Sequence, residues 1–348
     1  MQPPAIDDLL RRVGQLQASD LSLDPQDDGS VLVMARIEGV RQAVATIPAS
    51  AVAANVARLK ALANLPSYIT DAVQDGRIDG RPFGIPGDLR LAVLPTVRGQ
   101  RAAVRLPAIG ALPGPDGLGL PVELTATLRA WLDASDGLIL VCGPTGSGKT
   151  TTIHSLLADL AQRRADRQIV TLEDPVERRL PGIIQTEIRP HMEFTFQDGL
   201  AAALRQDADV LVVGEIRDPA TAVACVRAAL TGHLVVSTVH CARAADAVPR
   251  LLEMGVSTDL LLPALRGVLA QRLVRLTHAA CGGAGCAQCQ GGYRGRQVVA
   301  DGICVDAPAR QAWRTGAAPA LQWNLDHQAA ELVQAQRTPA AEIQRAIG

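Results

Sequence analysis

Apolar and polar positions follow different periods along the chain. Residues 1 to about 17 show helical spacing and predict a short amphipathic helix. From 18 to about 106, strand and helix patterns alternate. "SVLVMARIEG" and "LRLAVLPTVRGQRAAVRL" are apolar, β-branched and flanked by turns, which predicts strands. "ASAVAANVARLKALANL" has apolar residues at helical spacing and few breakers. Residues 107–121, "PAIGALPGPDGLGLP", are crowded with glycine and proline and read as a linker. Beyond it, "GLILVCG", "RQIVTLEDP", "DVLVVGE" and "HLVVSTVH" are short apolar runs separated by helical segments such as "KTTTIHSLLADLAQRR". That alternation predicts an α/β fold, a mostly parallel sheet buried on both faces. The tail from about 300 reads as Ala-rich helix, with breakers at Pro308 and Gly316.

At 348 residues the chain has room for two domains, 18–106 and 122–348, after an N-terminal helix at 1–17. Its net charge of -1 and 2% aromatic content offer neither a basic groove nor a stacking platform, so nucleic acid is not an expected partner. No apolar run nears the ~20 residues that span a bilayer. "MQPPAIDDLLRR" lacks the order of a signal peptide. A cytoplasmic protein that meets the membrane only through partners is expected. Cys142, Cys225 and Cys241 read as reduced core thiols.

The chemistry begins at "GPTGSGKT", Gly143, Pro144, Thr145, Gly146, Ser147, Gly148, Lys149 and Thr150, which follows a strand and opens a helix. Such a loop lets backbone N–H groups approach phosphates, and the helix start adds its positive dipole end. Lys149 is then placed for the β- and γ-phosphates and the Thr150 hydroxyl for Mg2+, with Thr151 beside it. ATP and Mg2+ are the expected ligands.

Three further segments lie near strand ends. "TLEDPVE" puts Glu173, Asp174 and Glu177 where ligands bind in such sheets, although an acidic turn capped by Asp174 has the same sequence. Asp174 is the candidate metal ligand and Glu173 a candidate catalytic group. "GEIRD" puts Glu215 at the end of a buried strand, where a carboxylate can orient the attacking water. Gly214 stands where phosphate-loop enzymes normally carry an Asp. Asp209 cannot replace it from roughly 13 Å away at strand rise. "TGHLVVSTVHC" carries His233 and His240 at opposite ends of a strand, either as structural residues or as sensors of the γ-phosphate.

The order "GPTGSGKTTT", "TLEDPVE", "LRQDADVLVVGEIRD", "TGHLVVSTVH", "QRLVR" resembles the secretion ATPases of type II secretion and type IV pilus assembly. "ASDLSLDP", "ARIEG", "QDGRI" and the arginine-bearing strands extend the resemblance to residues 18 to about 300. It implies a PAS-like α+β N-terminal domain followed by a RecA-like ATPase domain with a mostly parallel sheet. It also implies a homohexamer that works with an inner-membrane platform protein and an adaptor, peripheral at the inner membrane. In that family the Gly-Glu pair is the usual form and its Glu is catalytic. The resemblance further makes Arg90, Arg101 and Arg105 candidates for contacting the phosphates, and Arg205 a candidate catalytic residue. Two departures stand out: Ala201 where the family often has a first arginine, and "QDAD" for Gln-Asp-Pro-Asp.

"LTHAACGGAGCAQCQGGYRGR" carries His278, Cys281, Cys286 and Cys289, where members of the family often have a four-cysteine zinc element. Either a Cys3His zinc knuckle or a metal-free loop fits this spacing. The expected function is an assembly motor. A type IV secretion ATPase is the first alternative, opposed by "QDGRI" and the cysteine cluster. A nucleotide-binding scaffold with impaired hydrolysis is the second.

Overall fold

A computed structural model of the chain describes residues 4–189, 192 and 194–348. The first three residues of the expected N-terminal helix lie outside that set. The chain forms two compact units, residues 1–111 and 112–348.

The first unit comprises α1 (Ile6–Gln15), β1 (Asp20–Pro25), β2 (Val31–Ile37), β3 (Val40–Ile47), α2 (Ala49–Leu62), β4 (Gln74–Asp79), β5 (Asp88–Thr96) and β6 (Gly99–Arg105). Among the described residues its sheet has the order β3-β2-β1-β6-β5-β4, antiparallel throughout. Alternation decides the faces. Leu21, Leu23, Val31, Val33, Leu91 and Val104 point inward and pack with Leu9, Leu10 and Val13 of α1 and Leu59 of α2. On the opposite face the register aligns Arg77, Arg90, Arg105, Asp20, Arg36 and Arg41, one residue from each strand. Five like charges in one row repel, and Asp20 sits in the middle of it, pairing Arg105 at 3.1 Å.

The second unit comprises α3 (Val122–Leu132), β7 (Gly137–Cys142), α4 (Lys149–Arg163), β8 (Ile169–Glu173), β9 (Ile184–Glu187), α5 (Phe196–Ala203), β10 (Val210–Val213), α6 (Pro219–Leu230) and β11 (Leu234–Val239). There follow α7 (Ala247–Glu253), α8 (Thr258–Ala264), β12 (Leu265–Thr277), β13 (Tyr293–Cys304), α9 (Ala307–Arg314), α10 (Leu325–Gln334) and α11 (Ala340–Ile347). The sheet order is β13-β12-β7-β11-β10-β8-β9. Every pairing is parallel except that of β12 with β13. All residues of β7, β10 and β11 are buried, because helices cover both faces. Emptying a position such as Leu211 costs about 2–5 kcal/mol.

Two expectations change. The tail is not helical from 300, because β13 runs to Cys304. Pro308 does not break a helix; it lies in the first turn of α9, where its missing N–H costs nothing.

Candidate nucleotide site and cysteine knuckle

β7 feeds the loop 143–148, and α4 begins at Lys149. The N-cap, Gly148, offers no side-chain acceptor to the first turn of α4, whose N–H groups therefore face the loop unclaimed. The Ser147 hydroxyl is buried without a partner. Lys149 Nζ donates to the Gly143 and Pro144 carbonyls at 2.6 and 3.0 Å. Burial pulls its pKa below the ordinary lysine value, against the opposing pull of Glu215. Unclaimed N–H groups, an unpartnered hydroxyl and a central ammonium fit a polyphosphate. Thr150 is half-buried and Thr151 exposed, both in the first helical turn. Pro144, Thr145 and Gly146 form the exposed crest of the loop.

A chain of polar contacts joins the carboxyl ends of four neighbouring strands. His240, just past β11, lies with Nδ1 3.2 Å from the Gly143 carbonyl and Nε2 2.8 Å from Glu215 Oε1. Arg217 Nε donates to Glu215 Oε2 at 2.7 Å, and its Nη1 lies 3.5 Å from Asp174. Glu215 is thus held from two sides, two residues past β10. Ligands in parallel α/β sheets bind beyond these strand ends.

Gly214 has a packing reason. A Cβ there would stand 3.1 Å from the Leu172 carbonyl, to which the Gly214 N–H donates at 2.8 Å. A side chain at this position would press on the β8 backbone, and the carboxylate sits one residue later, at Glu215.

Some sequence-predicted residues fall elsewhere. Glu173 is buried and turned inward, accepting from Thr171 Oγ1 at 2.6 Å and Gln185 Nε2 at 2.9 Å and meeting His154 Nε2 at 3.1 Å. Burial raises its pKa, but these three partners outweigh it and hold the group below the usual carboxylate value.

His233 lies at the amino end of β11. Its carbonyl accepts from Gly137 N at the start of β7, and its ring faces the Ala228 carbonyl. The six residues of β7 put it roughly 20 Å from the loop of its own unit. Arg205 is exposed in the turn after α5, next to Gln206, whose carbonyl accepts from Gln168 Nε2 at the amino end of the strands. Arg90, Arg101 and Arg105 lie on β5 and β6 of the first unit. Arg101 pairs Asp24 at 2.8 Å and Arg105 pairs Asp20.

Gln271 is a further participant at the loop. From β12 its Nε2 donates to the Ser147 carbonyl at 2.8 Å, bracing the loop from the side. The "QRLVR" segment was its only signal.

Beyond the loop, β12 and β13 continue as an antiparallel hairpin whose tip carries the cysteine cluster. His278 Nδ1 lies 3.4 Å from both Cys281 and Cys286 Sγ. Cys289 Sγ lies 3.8 Å from Cys281 Sγ and 3.7 Å from Cys286 Sγ. A tetrahedral zinc ion with ordinary bond lengths sets sulfur–sulfur edges of about 3.8 Å and sulfur–nitrogen edges of about 3.5 Å. The donor set and its spacing therefore fit zinc. The tip needs glycine at Gly292, where φ is 90° and a Cβ would strike the Gly283 carbonyl.

Residues 2–345 match the family described as Type II/IV secretion system protein. The chain is 40% identical over 324 residues to the type II secretion system protein HxcR of Pseudomonas aeruginosa, covering 90% of this chain and 68% of that protein. It is 38% identical over 333 residues to the type IV pilus assembly ATPase PilB of Thermus thermophilus, covering 87% of this chain and 37% of that one. A third relative, the type II secretion system ATPase E of Vibrio cholerae, is 40% identical over 265 residues, covering 76% and 52%. The chain thus spans between 37% and 68% of the length of these curated relatives. Among solved structures, the pilus retraction motor PilT with bound ADP superposes with a TM-score of 0.62 at 27% identity, covering 96% and 91%. The Legionella pneumophila ATPase DotB gives 0.73 at 18% identity over 99% and 96%, a likeness of fold.

Proposed function

Because the chain belongs to the type II/IV secretion system protein family, we propose that it is an ATP-hydrolysing motor, working as a homohexamer, that powers assembly of a type II secretion pseudopilus or a type IV pilus-like filament. The observation that carries this reading is the contact chain from Gly143 through His240 and Glu215 to Arg217 and Asp174. It ties the loop to a carboxylate at the carboxyl ends of the parallel strands.

The 143–150 loop takes the phosphates of ATP, Lys149 contributing its ammonium and α4 its N–H groups. Thr150 and Asp174 are the oxygen donors that would hold Mg2+, which would supply charge neutralisation to the triphosphate. Glu215 orients the attacking water, and His240 and Arg217 fix its two oxygens. His240 also touches the Gly143 carbonyl, so a shift of the loop is felt at Glu215. Arg90, Arg101 and Arg105 are assigned to phosphate oxygens, for which a guanidinium fork is suited.

The first unit is read as PAS-like and the second as RecA-like. Zinc in the Cys3His knuckle has a structural part, stapling the hairpin tip. The working place is the cytoplasmic side of the inner membrane, through a platform protein and an adaptor.

Measurement of ATP turnover together with oligomeric mass, with and without nucleotide, tests the proposal. Turnover by a nucleotide-stabilised oligomer is expected, with Lys149→Ala weakening ATP binding itself. A monomer without turnover would overturn it in favour of a nucleotide-binding scaffold. Metal analysis is expected to return close to one zinc per chain; less than about a third would remove the knuckle's metal.

A further inference from the structure

Two cysteines at the nucleotide edge have no part in the chemistry above. Cys142 is the last residue of β7 and directly precedes Gly143; Cys241 directly follows His240. β7 and β11 run parallel, with Cys142 in register with Val239. The chain then doubles back at once, since the Cys241 N–H donates to the Val239 carbonyl at 3.2 Å. That is a three-residue turn with His240 at its apex. It returns Cys241 to the level of Val239 and so to the side of Cys142. Cys241 packs on the core cluster that contains Cys142, and each thiol lies within the other's electrostatic reach. Cys142 is fully buried, while Cys241 is partly open to solvent.

We propose that Cys142 and Cys241 are a redox-sensitive pair whose reversible disulfide switches the nucleotide site, Cys241 meeting a peroxide and Cys142 resolving the product. In the first step the Cys241 sulfur attacks a peroxide oxygen and the O–O bond breaks. A sulfenic acid forms and one water leaves. In the second, the Cys142 sulfur attacks the Cys241 sulfur and the S–OH bond breaks. The departing hydroxide takes the Cys142 proton as a second water. Two thiols and one peroxide give one disulfide and two waters; the sulfurs lose two electrons and the peroxide gains them. A dithiol reverses the step by exchange.

The surroundings set this order. Interaction with Cys241, then burial, pushes the Cys142 thiol well above the ordinary value, so it stays a thiol while the more open Cys241 meets the peroxide. Lys149 and Arg272 both feel the charge of the two sulfurs, and Arg272 donates to the Ala242 carbonyl, one residue past Cys241 at 2.9 Å. Negative charge developing on sulfur during exchange is therefore met by cations.

The consequence follows from length. A disulfide is about 2.05 Å long, while sulfurs in contact sit at about 3.5–4 Å. Closing it ties the Cys142 and Cys241 backbones to one another, with Gly143 next to one cysteine and His240 next to the other. A constraint that displaces a reacting centre by about 1 Å costs about 100-fold in rate. This effect on turnover rests on the ATPase reading, whereas the disulfide does not.

The test treats the full chain with hydrogen peroxide, maps disulfides by peptide mass spectrometry, and follows ATP turnover before oxidation, after it and after dithiothreitol. A linked Cys142–Cys241 peptide is expected, with turnover reduced at least about tenfold and restored by the dithiol. Cys241→Ser should lose most of that sensitivity. It keeps the knuckle thiols, so its difference from the native chain isolates the pair. If the variant does not fold, the peptide map of the native chain decides alone. Oxidation of the exposed knuckle thiols with no Cys142–Cys241 peptide would overturn the pair. A linked peptide with turnover unchanged would overturn the switch. A chain with no turnover at all still reports the disulfide, so a failure of the ATPase reading is seen separately.

Discussion

His233 and His240 stand at the two ends of β11, seven residues apart, and meet different chemistry. At the carboxyl end, His240 touches Glu215 and the loop carbonyl of Gly143, with Arg217, Asp174 and the Cys142–Cys241 pair close by. At the amino end, the His233 ring faces the Ala228 carbonyl of α6, and Arg205 and Asp209 sit at the same edge outside the strands. The strands are parallel, so every loop leaving a carboxyl end arrives at one edge. Polarity therefore sorts residues of the same type into a reactive edge and a structural one. Side-chain identity does not.

The largest expected effect comes from removing the charge at the centre of the reactive edge. Glu215→Gln keeps the shape and the reach to Arg217 and His240 but loses the carboxylate. Turnover should fall on the order of 100-fold or more with ATP binding retained. Steady-state turnover beside equilibrium nucleotide binding separates the two, and equal turnover would remove Glu215 from the water-orienting role.

Next in size is a clamp on the β12 extension that overhangs this edge. Glu342 of α11 has a fully buried side chain and takes Arg275 at 2.6 Å, with Arg345 on its other side. Burial pushes its pKa up, but Arg345 and Arg275 outweigh it and bring it to about 2. The folded value lies below the unfolded one. Its stabilisation is therefore complete above pH ~4.5 and is lost as the pH falls toward 2. Glu342→Gln leaves the two arginines without their anion and should cost about 2 kcal/mol. Denaturant unfolding at pH 7 and down through this window checks both statements. The variant's stability should depend less on pH there, and an unchanged midpoint at pH 7 would show that the clamp contributes nothing.

The reactive edge was legible in sequence wherever its parts are contiguous. The loop, Glu215 and Asp174 each follow an apolar run that can only be a buried strand, so the α/β class and the strand-end position came together. What was missed depends on register and close approach. Gln271 braces the loop from β12, a strand whose apolar pattern is interrupted by Arg266, Gln271 and Arg272 and which therefore passed unassigned. The packing reason for Gly214 lies in the distance of β8, which no local pattern encodes. The arginine row of the first unit is a cross-strand feature, invisible until six strands are aligned. The contacts of Glu173 show the same limit. The residue sits at a strand end as expected, but His154, Thr171 and Gln185 turn it inward.

The smallest expected effect is the sharpest test of the two edges. His240→Asn keeps a donor near the Gly143 carbonyl but does not reach both that carbonyl and Glu215. Turnover should fall about tenfold, by loss of one positioning hydrogen bond worth about 1.5 kcal/mol. His233→Asn removes a ring whose recorded contact is the Ala228 carbonyl, at the far end of the same strand. Its turnover should stay within about twofold of the native chain, with at most a small loss of thermal stability. Both variants change the same residue type to the same replacement on one strand, so composition and bulk cancel between them. Equal losses at both positions would mean that strand polarity does not sort the histidines in the working assembly, and that the amino edge of one chain also serves a reacting centre.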